Sequence, residues 1–217
     1  MTPTRFSTRR ALPGVAALTL ALGGAVGALV TVGASSASAA TTIGPVDSTL
    51  ADGSTNSLRD VLENQAADGD TVVLEVGATY TLNFCSVTPG ALATSPGDIE
   101  INAAVTIQGN GATIQQKCPD RVLHTQDALT LQNVTIAGGQ ADTEGGGLFQ
   151  ESDSPTVLDG VTFTGNTAAQ GGGMTTSGDA TITGSTFFDN EALDGSGGGL
   201  RVLSTTATAT VADSTFD

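Results

Sequence analysis

Three glycine triplets, each followed by a large apolar residue, recur along the chain: Gly145-Gly146-Gly147-Leu148, Gly171-Gly172-Gly173-Met174 and Gly197-Gly198-Gly199-Leu200. Their first glycines are 26 residues apart at both steps. A second unit alternates with them, Leu158-Asp-Gly-Val-Thr-Phe163-Thr-Gly-Asn166 and then Ile182-Thr-Gly-Ser-Thr-Phe187-Phe-Asp-Asn190. Two motifs interleaved at one period define a stacked repeat, in which each unit buries its apolar face against its neighbours.

One register aligns most of the region. Ile107, Leu131, Leu158, Ile182 and Val211 correspond, and five residues after the last four come Ile136, Phe163, Phe187 and Phe216. The earliest rung passes through Asn110-Gly111 before it reaches Ile114. The residue before each of these later apolar positions is threonine: Thr113, Thr135, Thr162, Thr186 and Thr215. Neighbours along a strand point to opposite faces, so the apolar column faces the interior and the threonine column faces out. Rungs this short leave no room for a strand plus a substantial helix. Few aromatics, many glycines and many β-branched residues also disfavour long helices. The expected fold is all-β, a parallel β-helix of short strands separated by turns.

The triplets are expected to be turns whose backbone angles a β-carbon would oppose. Asn166 and Asn190 are expected to tolerate left-handed angles and to hydrogen-bond down a column of like residues. A phosphate-binding loop at Gly145–Gly147 is excluded, because no Lys-Ser or Lys-Thr follows and the run recurs twice.

The chain divides into three parts. Residues 1–39 read as a signal peptide: Arg5, Arg9 and Arg10, then an apolar stretch from Ala11 to Val32, then the small residues Ala37-Ser38-Ala39. An uncleaved anchor is the rival reading, and a twin-arginine signal fits less well than a general secretory one. Residues 40–55 read as a lead-in. Residues 56–217 read as the β-helix domain, expected to be truncated at its C-terminus because Phe216-Asp217 stops inside a turn. Within it, Ser57-Leu-Arg-Asp60 has capping-box spacing, and Leu58, Val61 and Leu62 form one apolar face. That short N-terminal helix is expected to plug the open end of the solenoid.

Removing the three leader arginines leaves four basic residues against 22 acidic ones, a formal charge of −18. Nucleic acid and anionic lipid would be repelled, so neither is an expected partner, and no membrane insertion is expected after signal cleavage. Cys85 and Cys118, the two cysteines of an exported chain, are expected to pair. Two thiols and the lone His124 fall short of a tetrahedral set, so neither metal nor cofactor is assigned. Arg201 should face outward, in a column with Thr175 and Phe149. The next outward column holds Glu151, Ser177 and Leu203, and a further one stacks Asp153 and Asp179 above Thr205. Two stacked aspartates can bind Ca²⁺, but in a chain this acidic they read as a solvated face. No catalytic residue is assigned.

Phe163-Thr-Gly-Asn166 and Phe187-Phe-Asp-Asn190 resemble the Phe-x-x-Asn half of the polymorphic outer-membrane-protein repeat. Gly146-Gly147-Leu148-Phe149 and its two equivalents resemble the Gly-Gly-Ala-Ile half, whereas Ile136-Ala-Gly-Gly139 lacks both Phe and Asn. Asn56-Ser-Leu-Arg-Asp60 is similar to the Cys-Ser-Leu-Arg-Glu-Ala start of certain secreted β-helix proteins, with Cys and Glu replaced. The resemblance implies a right-handed, single-stranded, pectin-lyase-like β-helix on a secreted or surface protein, and no defined chemistry. The functional expectation is a structural or adhesive module that meets an extracellular glycan or protein surface. The alternative is a carbohydrate-active enzyme, a polysaccharide lyase or glycoside hydrolase, using clustered carboxylates.

Overall fold

In the computed structural model, which describes residues 39–85 and 97–217, the strands pair in parallel, each repeat with the next. The expected signal peptide, up to residue 38, lies outside the described residues. Seven strands stack in the order Thr42–Val46, Thr71–Leu74, Val105–Gln116, Leu129–Ala137, Thr156–Asp159, Ala180–Thr183 and Ala209–Ala212, giving a β-solenoid of about six turns. The long strands Val105–Gln116 and Leu129–Ala137 continue around a corner. There they also pair with Thr79–Leu82 and Thr162–Thr164, which lead on to Thr186–Phe188 and Thr215–Phe216. A three-stranded sheet (Gln140–Glu144, Thr167–Gln170, Glu191–Ser196) and a five-stranded sheet complete the turns. The five strands are Ile99–Ile101, Leu123–Thr125, Leu148–Gln150, Met174–Thr176 and Leu200–Val202.

The register matches the alternation in the sequence. Ile136, Phe163, Phe187 and Phe216 are successive partners, as are Ile107, Leu131, Leu158, Ile182 and Val211. The phenylalanine rings lie nearly parallel, with centroids 4.9 Å apart for Phe163–Phe187 and 4.5 Å for Phe187–Phe216. Leu148, Met174 and Leu200 form a second inner column.

The glycine triplets do two jobs. Only the first glycine is left-handed, as at Gly171 with φ +62°; the third is needed because other parts of the coil run against it. A β-carbon on Gly147 would lie 2.5 Å from the Gly173 carbonyl oxygen and 2.7 Å from the Phe163 ring. The asparagines behave differently from expectation. The left-handed residues are Gly165 and Asp189, one position earlier, while Asn166 and Asn190 turn inward and form the ladder. Asn166 Nδ2 donates to Asn190 Oδ1 (2.9 Å) and to the Ile136 carbonyl (3.0 Å), and Asn190 Nδ2 donates to the Phe163 carbonyl (2.9 Å). An inward amide needs two partners per rung, and the neighbouring rungs' carbonyls supply them.

At the N-terminal end, residues 42–46 of the expected lead-in form a strand that pairs with Thr71–Leu74 and extends the solenoid. The helix runs Leu58–Asp60 and continues as one wider turn to Gln65, with the Ala66 amide donating to the Val61 carbonyl at 2.8 Å. Ser57 accepts from the Asp60 amide (3.3 Å), while Asp60 reaches back to the Asn56 amide (2.8 Å), so the capping box closes one residue earlier than its spacing predicts. Leu58, Val61 and Leu62 are buried in the common core. Among the described residues, no helix is long and apolar enough to cross a membrane.

Cys85 and Cys118 are joined by a disulfide spanning 33 residues. A loop of that length is worth about 3–4 kcal/mol on the chain-entropy model. Replacing both cysteines by serine is therefore expected to lower unfolding free energy by about that amount in urea denaturation. A loss under about 0.5 kcal/mol would show that the unfolded chain is already constrained across that span.

Candidate functional site

Parallel stacking in the five-stranded sheet sets like positions in columns. The first strand shows the alternation plainly, with Ile99 and Ile101 buried and Glu100 exposed, so the middle residue of each strand points away from the core, although Thr175 is covered there. The outward column reads Glu100, His124, Phe149, Thr175, Arg201. Arg201 thus stands where the sequence places it, above Thr175 and Phe149, with Nη1 3.3 Å from Glu144 Oε1.

The lower half of this column gathers chemistry. His124 Nδ1 lies 2.9 Å from Glu100 Oε1, and Nε2 lies 3.2 Å from Glu151 Oε2. The imidazole stacks on the Phe149 ring, with centroids 5.3 Å apart and planes within 5°. The Arg121 guanidinium sits 5.2 Å from the same ring, and its Nε is 3.5 Å from Asp98 Oδ2. Gln126 Nε2 donates to Glu151 Oε2 at 2.7 Å. Asp98, only 8% exposed, lies at the start of the first strand beneath this group.

Burial pushes the Asp98 carboxyl up to about 7, and the charges of Asp120 and Glu100 push the same way against Arg121 and His124. Burial also raises Asp120. For His124, burial disfavours the imidazolium, but the hydrogen bond and charge of Glu100 outweigh it and hold the ring above its ordinary value.

Asp98 binds a proton more tightly folded than unfolded. Its contribution to stability is therefore complete below the unfolded value near 4 and falls as pH rises to about 7. Asparagine carries no such dependence. In EDTA, Asp98→Asn is expected to gain on the wild type between those limits by on the order of 2–4 kcal/mol. A constant difference across urea titrations at several pH values would refute the shift.

Three donor atoms, one each from Asp98, Glu100 and His124, lie within 4.8 Å of one another. They can hold a cation or, with Asp98 protonated, pair a carboxylic acid with a base. The other candidates do not converge. Cys85 and Cys118 are consumed by their disulfide. Asp179 is engaged by the Thr208 amide and hydroxyl at 2.8 and 3.0 Å, which lowers its pKa.

The sequence reading paired His124 only with thiols and missed Asp98, Glu100 and Arg121. The 26-residue period carries the column from Arg201 to Phe149 and then fails, because the next steps are 25 residues to His124 and 24 to Glu100. Counting back from Phe149 with a shrinking rung would have found both. No family model, curated protein or solved structure matches this chain.

Proposed function

We propose that the chain is a secreted or cell-surface β-helix module with a structural or adhesive role, of the polymorphic outer-membrane-repeat, pectin-lyase-like kind. The observation that carries this reading is one threonine column six rungs long: Thr79, Thr113, Thr135, Thr162, Thr186 and Thr215. It sets equivalent hydroxyls about 4.8 Å apart along a straight face. A flat row of equal, weak donors and acceptors suits an extended repeating ligand, a polysaccharide or another protein's surface, whose many contacts add up. A small molecule would need a concave pocket instead.

Co-sedimentation of the exported protein with insoluble cell-wall polysaccharides tests this. The triple variant Thr135→Ala, Thr162→Ala, Thr186→Ala should keep its fold, since each outward change costs under about 0.5 kcal/mol, and should lose roughly tenfold or more in binding. Equal binding by wild type and triple variant would remove the threonine face from the argument.

The raised Asp98 carboxyl beside His124 and Glu100 favours a second reading, the carbohydrate-active enzyme. Turnover of pectate, alginate or a neutral glycan that disappears in Glu100→Gln would establish it over the first.

A further inference from the structure

We propose that Asp98, Glu100 and His124 bind one divalent transition-metal ion of the zinc class on the outer face of the five-stranded sheet. The inference stands independently of the adhesive reading, since no threonine of the outer column takes part.

The donor set points to this class of ion. An imidazole nitrogen and carboxylate oxygens are ligand types that zinc accepts, and three protein ligands leave a fourth position open. Calcium takes six to eight oxygens and has no use for the imidazole, whereas zinc, nickel and cobalt favour it. The three donors are within 4.8 Å of one another, and tetrahedral bonds of about 2.0–2.1 Å require about 3.3 Å between donors. Glu100 can supply much of the contraction, because its side chain is 48% exposed and free to swing. His124 sits on a paired strand and Asp98 immediately precedes its partner strand, which fixes the other two donors.

Two further observations point the same way. Two side-chain atoms here are buried and lack a hydrogen bond. His124 Nε2 lies 3.2 Å from a Glu151 oxygen yet makes no aligned hydrogen bond, and Arg121 Nε likewise has none, remaining 3.5 Å from Asp98. Buried polar groups are normally paired; the Asp98 oxygen is not held by Arg121, and the imidazole nitrogen on the side of the other two donors, Nδ1, is partnered only by Glu100. Charge is also unbalanced. Glu100 and Glu151 flank the imidazole and Asp98 faces Arg121, which the Phe149 ring holds to one side, while Arg59 reaches only the Asp98 carbonyl. A bound dication offsets the remaining negative charge where the sheet partly excludes water. Glu151 beside the ring and Gln126 behind Glu151 then act as outer partners that orient the ligating histidine.

Calorimetric titration of the exported full chain with zinc chloride near neutral pH tests the proposal. One ion per chain is expected, with a rise in melting temperature that EDTA reverses. His124→Gln and the surface-accessible Glu100→Gln should each weaken zinc by at least about tenfold. Cobalt substituted for zinc should give the visible absorption of a low-symmetry nitrogen–oxygen site, absent in His124→Gln. Calcium in excess should not displace zinc. Unchanged zinc affinity in both variants, no binding at all, or displacement by calcium would each overturn the proposal. Glu100→Gln keeps it falsifiable if His124→Gln fails to fold, since Glu100 contributes nothing to the core.

Discussion

Phe187→Ala is expected to lower unfolding free energy by about 3–5 kcal/mol, the largest loss from any single truncation in the central rungs. Phe187 is 1% exposed, with the Phe163 ring stacked at 4.9 Å on one side and the Phe216 ring at 4.5 Å on the other. Removing the middle ring leaves a gap that the outer two cannot close, because the strands carrying them are fixed by their own pairings. The Gly173 backbone lies against the same ring, so the gap also opens beside a turn. Rungs lean only on their neighbours, and the loss should appear first as faster hydrogen exchange C-terminal to Phe163. Thr186→Ala, one residue away on the outer face, should cost under about 0.5 kcal/mol. Urea denaturation of the pair decides it: if Thr186→Ala is the more damaging, the assigned inner face is wrong.

Arg59→Ala should be nearly as costly, about 3–5 kcal/mol, for a different reason. Its side chain is 3% exposed and makes a forked contact with Asp52, Nε to Oδ1 at 2.8 Å and Nη2 to Oδ2 at 3.2 Å. The same guanidinium donates to Glu63 (3.1 Å), to the Gly97 carbonyl (3.0 Å) and to the Asp98 carbonyl. Asp52 in turn accepts the Asn83 and Phe84 amides, both at 2.8 Å. One cation therefore ties the lead-in, the capping helix, the end of the Thr79–Leu82 strand and the entry to the Ile99–Ile101 strand. Without it the Asp52 carboxylate, 2% exposed, is left buried and unpaired by charge. Arg59→Lys should recover only part of the loss, since an ammonium cannot make the fork. Asp52→Asn combined with Arg59→Ala should cost less than the two single losses added. Chemical denaturation measures all four; a loss under about 1 kcal/mol in Arg59→Ala would place the pair among ordinary surface ion pairs.

Arg59 also shows where sequence reading stops. Its place in Ser57-Leu-Arg-Asp60 predicts a capped helix, and that helix forms, but local spacing gives no hint of partners at Gly97 and Asp98. The same limit applies to His124, whose two carboxylate neighbours lie 24 residues before it and 27 after.

The sequence by itself determined the repeat, its period, its inner and outer faces and its strand register. Those properties rest on alternation and on glycine, which are local and recur, and a one-residue slip would bury threonine and expose phenylalanine. The disulfide was legible because only two cysteines exist. Tertiary structure alone decided that Asn166 points inward while the residue before it turns left-handed, since both placements satisfy the same local pattern. It alone decided that the third glycine of each triplet serves close approach, because the clash comes from another rung. It also assembled Asp98, Glu100, His124 and Arg121, for the column that joins them depends on rung lengths that shrink where the repeat motif is absent. Only the paired strands fix that count.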